Sequence, residues 1–465
     1  MNKRQTMNNN RDSLDFSKEP VERLFRKMFF PTLIGMVSMV VLNITDGAFV
    51  GHGVGSDALA AVNIVAPLYM IISGIGLMFG IGGSVVASIH LSKGNVKAAN
   101  INLTQSVLAS IATGVILGAL VFAFQRETCL LFGCSEALLP LACSYIRWVA
   151  VLAPFNMFGM TGMFMVRLDG RPKFAMTVNC SIAALNILLD YLLVFPMGMG
   201  LEGAAIATTT AFASGCIPLA WFLLTQTKTV RFRRLKTSRT SLGLTARNLG
   251  YQMKIGASGL FGELALASTM IVGNYVFIHY LGEDGVAAFS VGCYCLPIVF
   301  MVGNAIVQSV QPIVSFAHGM KNGERLAGAR RIAFGTAGVT GVLGMLAIWL
   351  GASVIAITFM EPDCHAYELC RDGLPYYSPA FLFIALNVVA IGYLQSVEEA
   401  RKAMIFTALR GFVFSIPCFI LLPMVIGENG TWLALPLAEA MTTAVMLITV
   451  KARCSRDNRQ TAAGK

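Results

Sequence analysis

Charged residues are scarce in this chain, at 13% of 465, and histidine occurs only five times. The five, His52, His90, His279, His318 and His365, are scattered and never take the His-Glu-x-x-His spacing, so the pattern of a catalytic metal centre is missing. The glycine-rich pieces Gly74-Ile75-Gly76 and Gly80-Ile81-Gly82-Gly83 are not followed by Lys-Ser or Lys-Thr, which excludes a phosphate loop. They read instead as places where helices pack closely. No soluble stretch gathers basic side chains on one face, so the net charge of +11 does not point to nucleic acid. The eleven cysteines lack zinc-site spacing. Six of them (Cys143, Cys180, Cys216, Cys293, Cys295 and Cys418) stand in apolar runs, where cysteine serves as a small apolar filler. Cys129 with Cys134, and Cys364 with Cys370, are pairs that an oxidising outer face would permit; the spacing leaves their pairing open.

What is abundant is hydrocarbon. Hydrophobic residues make up 56% of the chain and the mean hydropathy is +0.69. Apolar runs repeatedly exceed the roughly 18 residues that a membrane-spanning helix needs. Twelve such runs fall between residues 28 and 450, which predicts an all-α polytopic membrane protein with twelve transmembrane helices. Basic residues support this map. Of the 35 Lys and Arg, thirty lie in segments on one side, two on the other, and three (Arg147, Lys254, Arg410) inside spans. By the positive-inside rule both termini are expected in the cytoplasm, and the expected location is a bacterial inner membrane. Residues 1–27 carry too many charges for a secretory leader and read as a cytoplasmic tail, as do 451–465. No soluble enzyme or binding domain is expected.

The two halves of the chain repeat. Gly55-Ser56-Asp57-Ala58-Leu59-Ala60-Ala61-Val62 matches Gly282-Glu283-Asp284-Gly285-Val286-Ala287-Ala288-Phe289, an offset of 227 that also lays Gly200-Leu201-Glu202-Gly203 on Gly427-Glu428-Asn429-Gly430. Lys173-Phe174-Ala175-Met176 resembles Arg401-Lys402-Ala403-Met404 at 228. Six spans per copy is an even number, so the copies share one orientation and form a parallel repeat. This predicts two six-helix lobes, 28–226 and 251–450, joined by a basic cytoplasmic linker over 227–250. Proteins so built hold substrate between the lobes and expose it to each side in turn.

Against so apolar a background, Asp46, Asp190 and Glu263 stand out, each inside a span. An ionised group in the bilayer interior costs several kcal/mol unless it faces a partner or water, so such residues mark ion or substrate paths. Asn186 and Asp190 are four apart and share a helix face. A hard alkali cation wants oxygen ligands and a proton wants a buried carboxylate; the residues fit either. Structural alternatives stand beside these readings: Asp46 as a helix-end hydrogen bonder, Glu263 as partner of a polar neighbour, Glu439 as an inter-helix hydrogen bonder. Twenty-four methionines, among them Met36, Met160 and Met163, offer polarizable surface able to repack around varied apolar ligands.

Asp46-Gly47-Ala48-Phe49-Val50-Gly51 with Leu59-Ala60-Ala61-Val62 resembles the first-helix signature of the multidrug and toxic compound extrusion (MATE) transporters. Arg167-Leu168-Asp169-Gly170-Arg171-Pro172-Lys173, Leu185-Asn186-Ile187-Leu188-Leu189-Asp190 and Gly203-Ala204-Ala205-Ile206-Ala207-Thr208 resemble its fourth to sixth helices. Gln311-Pro312-Ile313-Val314-Ser315-Phe316 and Gly430-Thr431-Trp432-Leu433-Ala434-Leu435-Pro436 look like its bacterial DinF and MepA branch. The resemblance runs from about residue 24 to 450. It implies a secondary active transporter, not an enzyme: an antiporter that exports cationic amphipathic compounds by alternating access in exchange for sodium ions or protons. It needs no cofactor beyond the coupling ion and no obligate protein partner, and membrane lipids surround it. Matched by motif, the family's cation site falls on Asp46, Asn186, Asp190 and Thr208, where sodium would bind. Glu263 is matched to a seventh-helix acid and Tyr145 to a fourth-helix tyrosine. The tenth-helix acid of some branches has no match, because Pro379 to Gln395 contains no acid. A flippase for lipid-linked intermediates, from the same broad superfamily, is the alternative.

Overall fold

The computed structural model describes residues 14–463 except 230, 236, 237, 360, 361 and 363; of 52, 56, 57, 59 and 450–463 it describes the backbone alone. Of the expected tails, residues 1–13 and 464–465 lie outside the described residues. Every regular element among the described residues is helical, as it must be where no water is present to pair a lone N–H or C=O. In chain order they are α1 (Val21–Gly53), α2 (Ser56–Ser92), α3 (Val96–Ala123), the short α4 (Gln125–Leu131), α5 (Leu139–Leu168), α6 (Pro172–Val194) and α7 (Gly200–Trp221). The second half holds α8 (Arg239–Gly319), α9 (Gly323–Phe359), α10 (His365–Tyr377), α11 (Pro379–Ser396), α12 (Ala400–Ala408), α13 (Ser415–Ile426) and α14 (Glu428–Ala463). Five-residue π turns follow α7, at Phe222–Gln226, and α12, at Leu409–Val413.

Among the described residues 11 helices are long and apolar enough to cross a membrane. One of them, the 81-residue α8, is two crossings broken at Gly282, whose φ of 68° and ψ of −160° are non-helical. With that division the twelve spans are accounted for. The repeat is visible in the backbone too. Among the described residues, eight of the ten with positive φ pair at the repeat offset: Gly55 with Gly282 and Gly200 with Gly427 at 227, Gly94 with Lys321 at 227, and Gly170 with Glu398 at 228. Each pair marks the same turn in both copies.

The chain forms two compact units. The first comprises the chain up to Leu264 with Ala305–Ile332 and Gly392–Arg401; the second comprises Ala265–Asn304, Ala333–Ile391 and the chain from Lys402. In the first, α2 packs on α3 and α5, α3 on α5, α1 on α6, and α6 and α5 on α7. Small residues let these helices meet: a Cβ on Gly80 would lie 2.7 Å from the Phe164 ring, and one on Gly114 2.7 Å from the Pro154 Cα. Such packing, with interhelical hydrogen bonds, substitutes for the hydrophobic drive that hydrocarbon solvent cannot supply. The basic linker is docked in this unit. The main-chain N–H groups of Lys228 and Thr229 donate to the Asp169 carboxylate at 2.7–3.2 Å, that of Arg231 to Asn100 Oδ1 at 2.7 Å, and that of Arg233 to Thr104 Oγ1 at 3.0 Å. From Arg239 the chain is already helical, capped by the Ser238 hydroxyl.

The second unit centres on aromatic rings. Phe277 stacks on Phe289 with centroids 4.3 Å apart, and Trp432 meets Phe277 edge-on at 4.9 Å and Tyr377 at 6.0 Å. Its α9 leaves Leu343, Leu350 and Val354 exposed on one face, an arrangement suited to lipid. Cys129, Cys134, Cys364 and Cys370 are all free thiols.

Candidate cation site in the first unit

Proximity of α1, α6 and α7 follows from the two contacts α1 on α6 and α6 on α7. Asp46 sits on α1, Asn186 and Asp190 one turn apart on α6, and Thr208 on α7. Asn186 and Asp190 are fully buried, while Asp46 and Thr208 are half-buried. The Asn186 amide donates to Thr208 Oγ1 at 3.1 Å, which commits one of its two N–H bonds to α7. The carboxyl groups of Asp46 and Asp190 lie within hydrogen-bonding reach of each other. The second N–H of the Asn186 amide approaches Asp190 but falls short of a full hydrogen bond. Four buried oxygens are left without one: Asp46 Oδ1, Asn186 Oδ1 and both oxygens of Asp190.

Tyr145, on α5, faces the same cluster, within electrostatic range of Asp46, Asp190 and Tyr69. Tyr69 itself was not singled out from the sequence. Its hydroxyl accepts from Asn156 Nδ2 at 3.3 Å, and Ser73 donates to Asn156 Oδ1 at 3.4 Å. Both Glu263 and Asp46 are within electrostatic reach of Tyr69. Glu263 is half-buried well inside α8's first crossing, beside α2, where a Cβ on Gly74 would stand 3.4 Å from its own. It does not join the Asp46–Asp190 pair. Of the methionines, Met36 and Met160 are half-buried, the latter against Gly76. Met163 is buried at 7% exposure in an apolar core with Leu42, Met165 and Leu219.

The donor set has a definite chemistry. Two carboxylates and a neutral amide oxygen, all hard and all lacking donors, suit a small cation with oxygen preference. A single proton shared between the carboxyl groups satisfies the same requirement. Soft-metal chemistry is not offered: among the described residues no three His, Cys, Asp or Glu side chains gather in a metal-binding group.

Known proteins resemble the chain over most of its length. The profile of the family described as MatE matches residues 31–192 and 260–421, once per half. Multidrug export protein MepA of Staphylococcus aureus is 22% identical over 435 residues, 93% of this chain and 94% of that protein. An FAD transporter of Shewanella oneidensis is 23% identical over 428 residues, 91% and 92% of the two chains. Among solved structures, a multidrug resistance MATE family transporter of the MOP superfamily in its outward-facing conformation superposes with a TM-score of 0.87 at 21% identity, over 95% of this chain and 97% of that one. A MOP superfamily transporter from Pyrococcus furiosus gives 0.86 at 21%, again over 95% and 97%. Both share the fold.

Proposed function

This chain belongs to the MatE family of membrane transporters, and from that premise we propose that it exports cationic amphipathic compounds in exchange for a sodium ion or proton seated between Asp46 and Asp190. The observation that carries the reading is the set of four donorless buried oxygens contributed by Asp46, Asn186 and Asp190. Two like charges at contact distance in a low-dielectric interior repel strongly, so the pair is stable when a cation or proton sits in it. Binding there would draw α1 toward α6, and release would relax that contact; coupling follows if the grip on substrate differs between the two states. Uptake of the ion and release of the drug thereby become one exchange. A cationic substrate is supported by the acids Asp46, Asp190 and Glu263, which gather negative charge in the first unit.

The Asp190→Asn variant keeps shape and adds a donor for Asp46. It is expected to express and fold normally and to lose gradient-driven efflux of a cationic dye such as ethidium; undiminished efflux refutes the assignment. Proteoliposomes with either a sodium or a pH gradient imposed alone identify the ion. The similarity to an FAD transporter makes FAD the informative competitor in the same assay. Export of FAD without ethidium would replace the cationic reading with an anionic one, and accumulation of a lipid-linked precursor on loss of the protein would replace it with the flippase.

A further inference from the structure

The second unit has no acid in α11, yet an acid reaches that helix from elsewhere. Glu439 on α14 is 2% exposed. Its Oε2 accepts from Asn387 Nδ2 of α11 at 2.7 Å, and the same amide donates to the Glu439 main-chain oxygen at 2.9 Å. Thr443, one turn along α14, donates to Asn387 Oδ1 at 2.8 Å. The remaining oxygen, Oε1, accepts from Arg410 through Nε at 3.0 Å and Nη2 at 2.6 Å. Phe300 lies under the guanidinium, with its ring centroid 4.8 Å from Cζ. Arg410 stands inside the π turn Leu409–Val413. Gly411 beside it allows close approach to α8, where a Cβ would come within 3.1 Å of the Ala265 Cα.

Set against the repeat, this cluster has a partner. The offset of 228 carries Arg410 onto Ile182, and 227 carries Glu439 onto Phe212; Ile182 and Phe212 belong to one apolar core of the first unit. The Asn186–Thr208 pair, one turn nearer the outer face in both helices, maps onto Phe414 and Leu435. Each copy thus carries one polar contact between its fifth and sixth helices, with polar and apolar layers exchanged. In the first copy the contact leaves oxygens without a donor; in the second it contains its own cation.

We propose that Glu439, Asn387, Thr443 and Phe300 form a seat for a planar monovalent cation of the guanidinium type, kept filled by the chain's own Arg410. A carboxylate met by two coplanar N–H groups and an aromatic face below it match a flat delocalised cation better than a spherical or tetrahedral one. Asn387, itself held by Thr443, fixes the carboxylate from the other side. Removing the arginine side chain uncovers a binding site for a free guanidinium compound. The proposal does not depend on what the first unit binds. It adds one consequence to that reading: the second unit takes no coupling ion, and the exchange involves the first-unit seat alone.

The test uses full-length protein in detergent with methylguanidinium as probe. Arg410→Ala is expected to melt below wild type and to regain about 2–4 °C with methylguanidinium at ten times its dissociation constant. Methylammonium and tetramethylammonium, which carry the same charge in another shape, are expected to restore less than a third of that. Wild type, with the seat filled, and Arg410→Ala/Glu439→Gln, with the carboxylate removed, are expected to show no gain. Arg410→Ala/Asp190→Asn is expected to retain the full gain, which separates this site from the first-unit seat; loss of the gain there overturns the assignment to Glu439. Equal rescue by all three cations, or none, overturns the proposal. If Arg410→Ala is recovered folded only with methylguanidinium in every buffer, the proposal stands; if it cannot be recovered even so, it falls.

Discussion

Replacing Gly256 with alanine tests how the first crossing of α8 is held in the first unit. Gly82 of α2 and Gly256 of α8 form a reciprocal contact. A Cβ on Gly256 would collide with the Met78 carbonyl oxygen and stand 2.7 Å from its carbon, while one on Gly82 would collide with the Gln252 carbonyl oxygen and stand 2.6 Å from its carbon. Relaxed carbon–carbon contact is about 3.5–4.0 Å, so either substitution must part the helices by about 1 Å. Backbone cannot swing aside as a side chain can, and Gln252 is further tied by its amide to Asn102 Oδ1 at 2.8 Å. Overpacking of this kind costs about 1–3 kcal/mol. At roughly 2–4 °C per kcal/mol for a chain of domain size, the melting midpoint in detergent should fall by about 2–12 °C. The double variant should cost less than the sum, because separating the helices for one methyl makes room for the other. Gly47→Ala, with nothing within 4 Å of the new atom, is the matched control and should leave the midpoint in place. An unchanged midpoint for Gly256→Ala, or full additivity in the double variant, refutes the claim that backbone contact holds these two helices together.

Three further outcomes are expected. Asp169→Ala removes the acceptor of the Lys228 and Thr229 amides; the docked linker should come loose and trypsin should cut at Arg231, Arg233 or Arg234, at least tenfold faster than in wild type. Burial, with Cys143 beside it, pushes the Cys129 thiol up to about 12, so it is protonated across the physiological range and should escape maleimide at pH 7 until the protein unfolds, while reduction should change neither the mass nor the mobility of the native chain. The Ser17 hydroxyl holds the Asp15 carboxyl below its usual range. A depressed carboxyl contributes stability above its unfolded pKa and loses it as pH falls through the folded one, so Ser17→Ala should lower stability slightly at pH 7, and the difference from wild type should vanish once the pH falls below the usual carboxylate range; a difference that persists at low pH would contradict the assignment.

Hydropathy and charge made the twelve spans legible because the bilayer imposes a length and a sidedness that composition alone records. They did not give helix ends. The stretch from Arg239 to Asn248 reads as polar linker, yet it is helical, since helix propensity and capping act on polar residues that hydropathy discounts. The candidate cation site was legible in part for a similar reason. Asp46, Asp190 and Asn186 are conspicuous where charge is rare and an i,i+4 spacing is meaningful, whereas Tyr69, Ser73 and Asn156 are ordinary interior residues until tertiary contact brings them together. Arg410 and Glu439 were each visible as a misplaced charge, 29 positions apart; that they neutralise one another depends on the π turn and on Gly411, which no periodicity reveals.

The repeat shows how little of such geometry residue identity must preserve. Gly55 and Gly200 have glycine counterparts in Gly282 and Gly427, but the turns at Gly94 and Gly170 recur at Lys321 and Glu398 with φ of 56° and 61°. A non-glycine side chain in that region costs of order 1 kcal/mol, so the second copy keeps the turn despite losing the residue best suited to it. Glu398 also accepts from the Tyr251 hydroxyl at 2.7 Å and lies 3.7 Å from His318, contacts that offset the strain and that glycine could not make. A search for paired glycines would therefore have found half of the shared turns. Glu398→Gly should relieve the backbone and forfeit both contacts; if the contacts are what retain the residue, the variant melts below wild type, and a rise in midpoint would show that strain, not contact, dominates there.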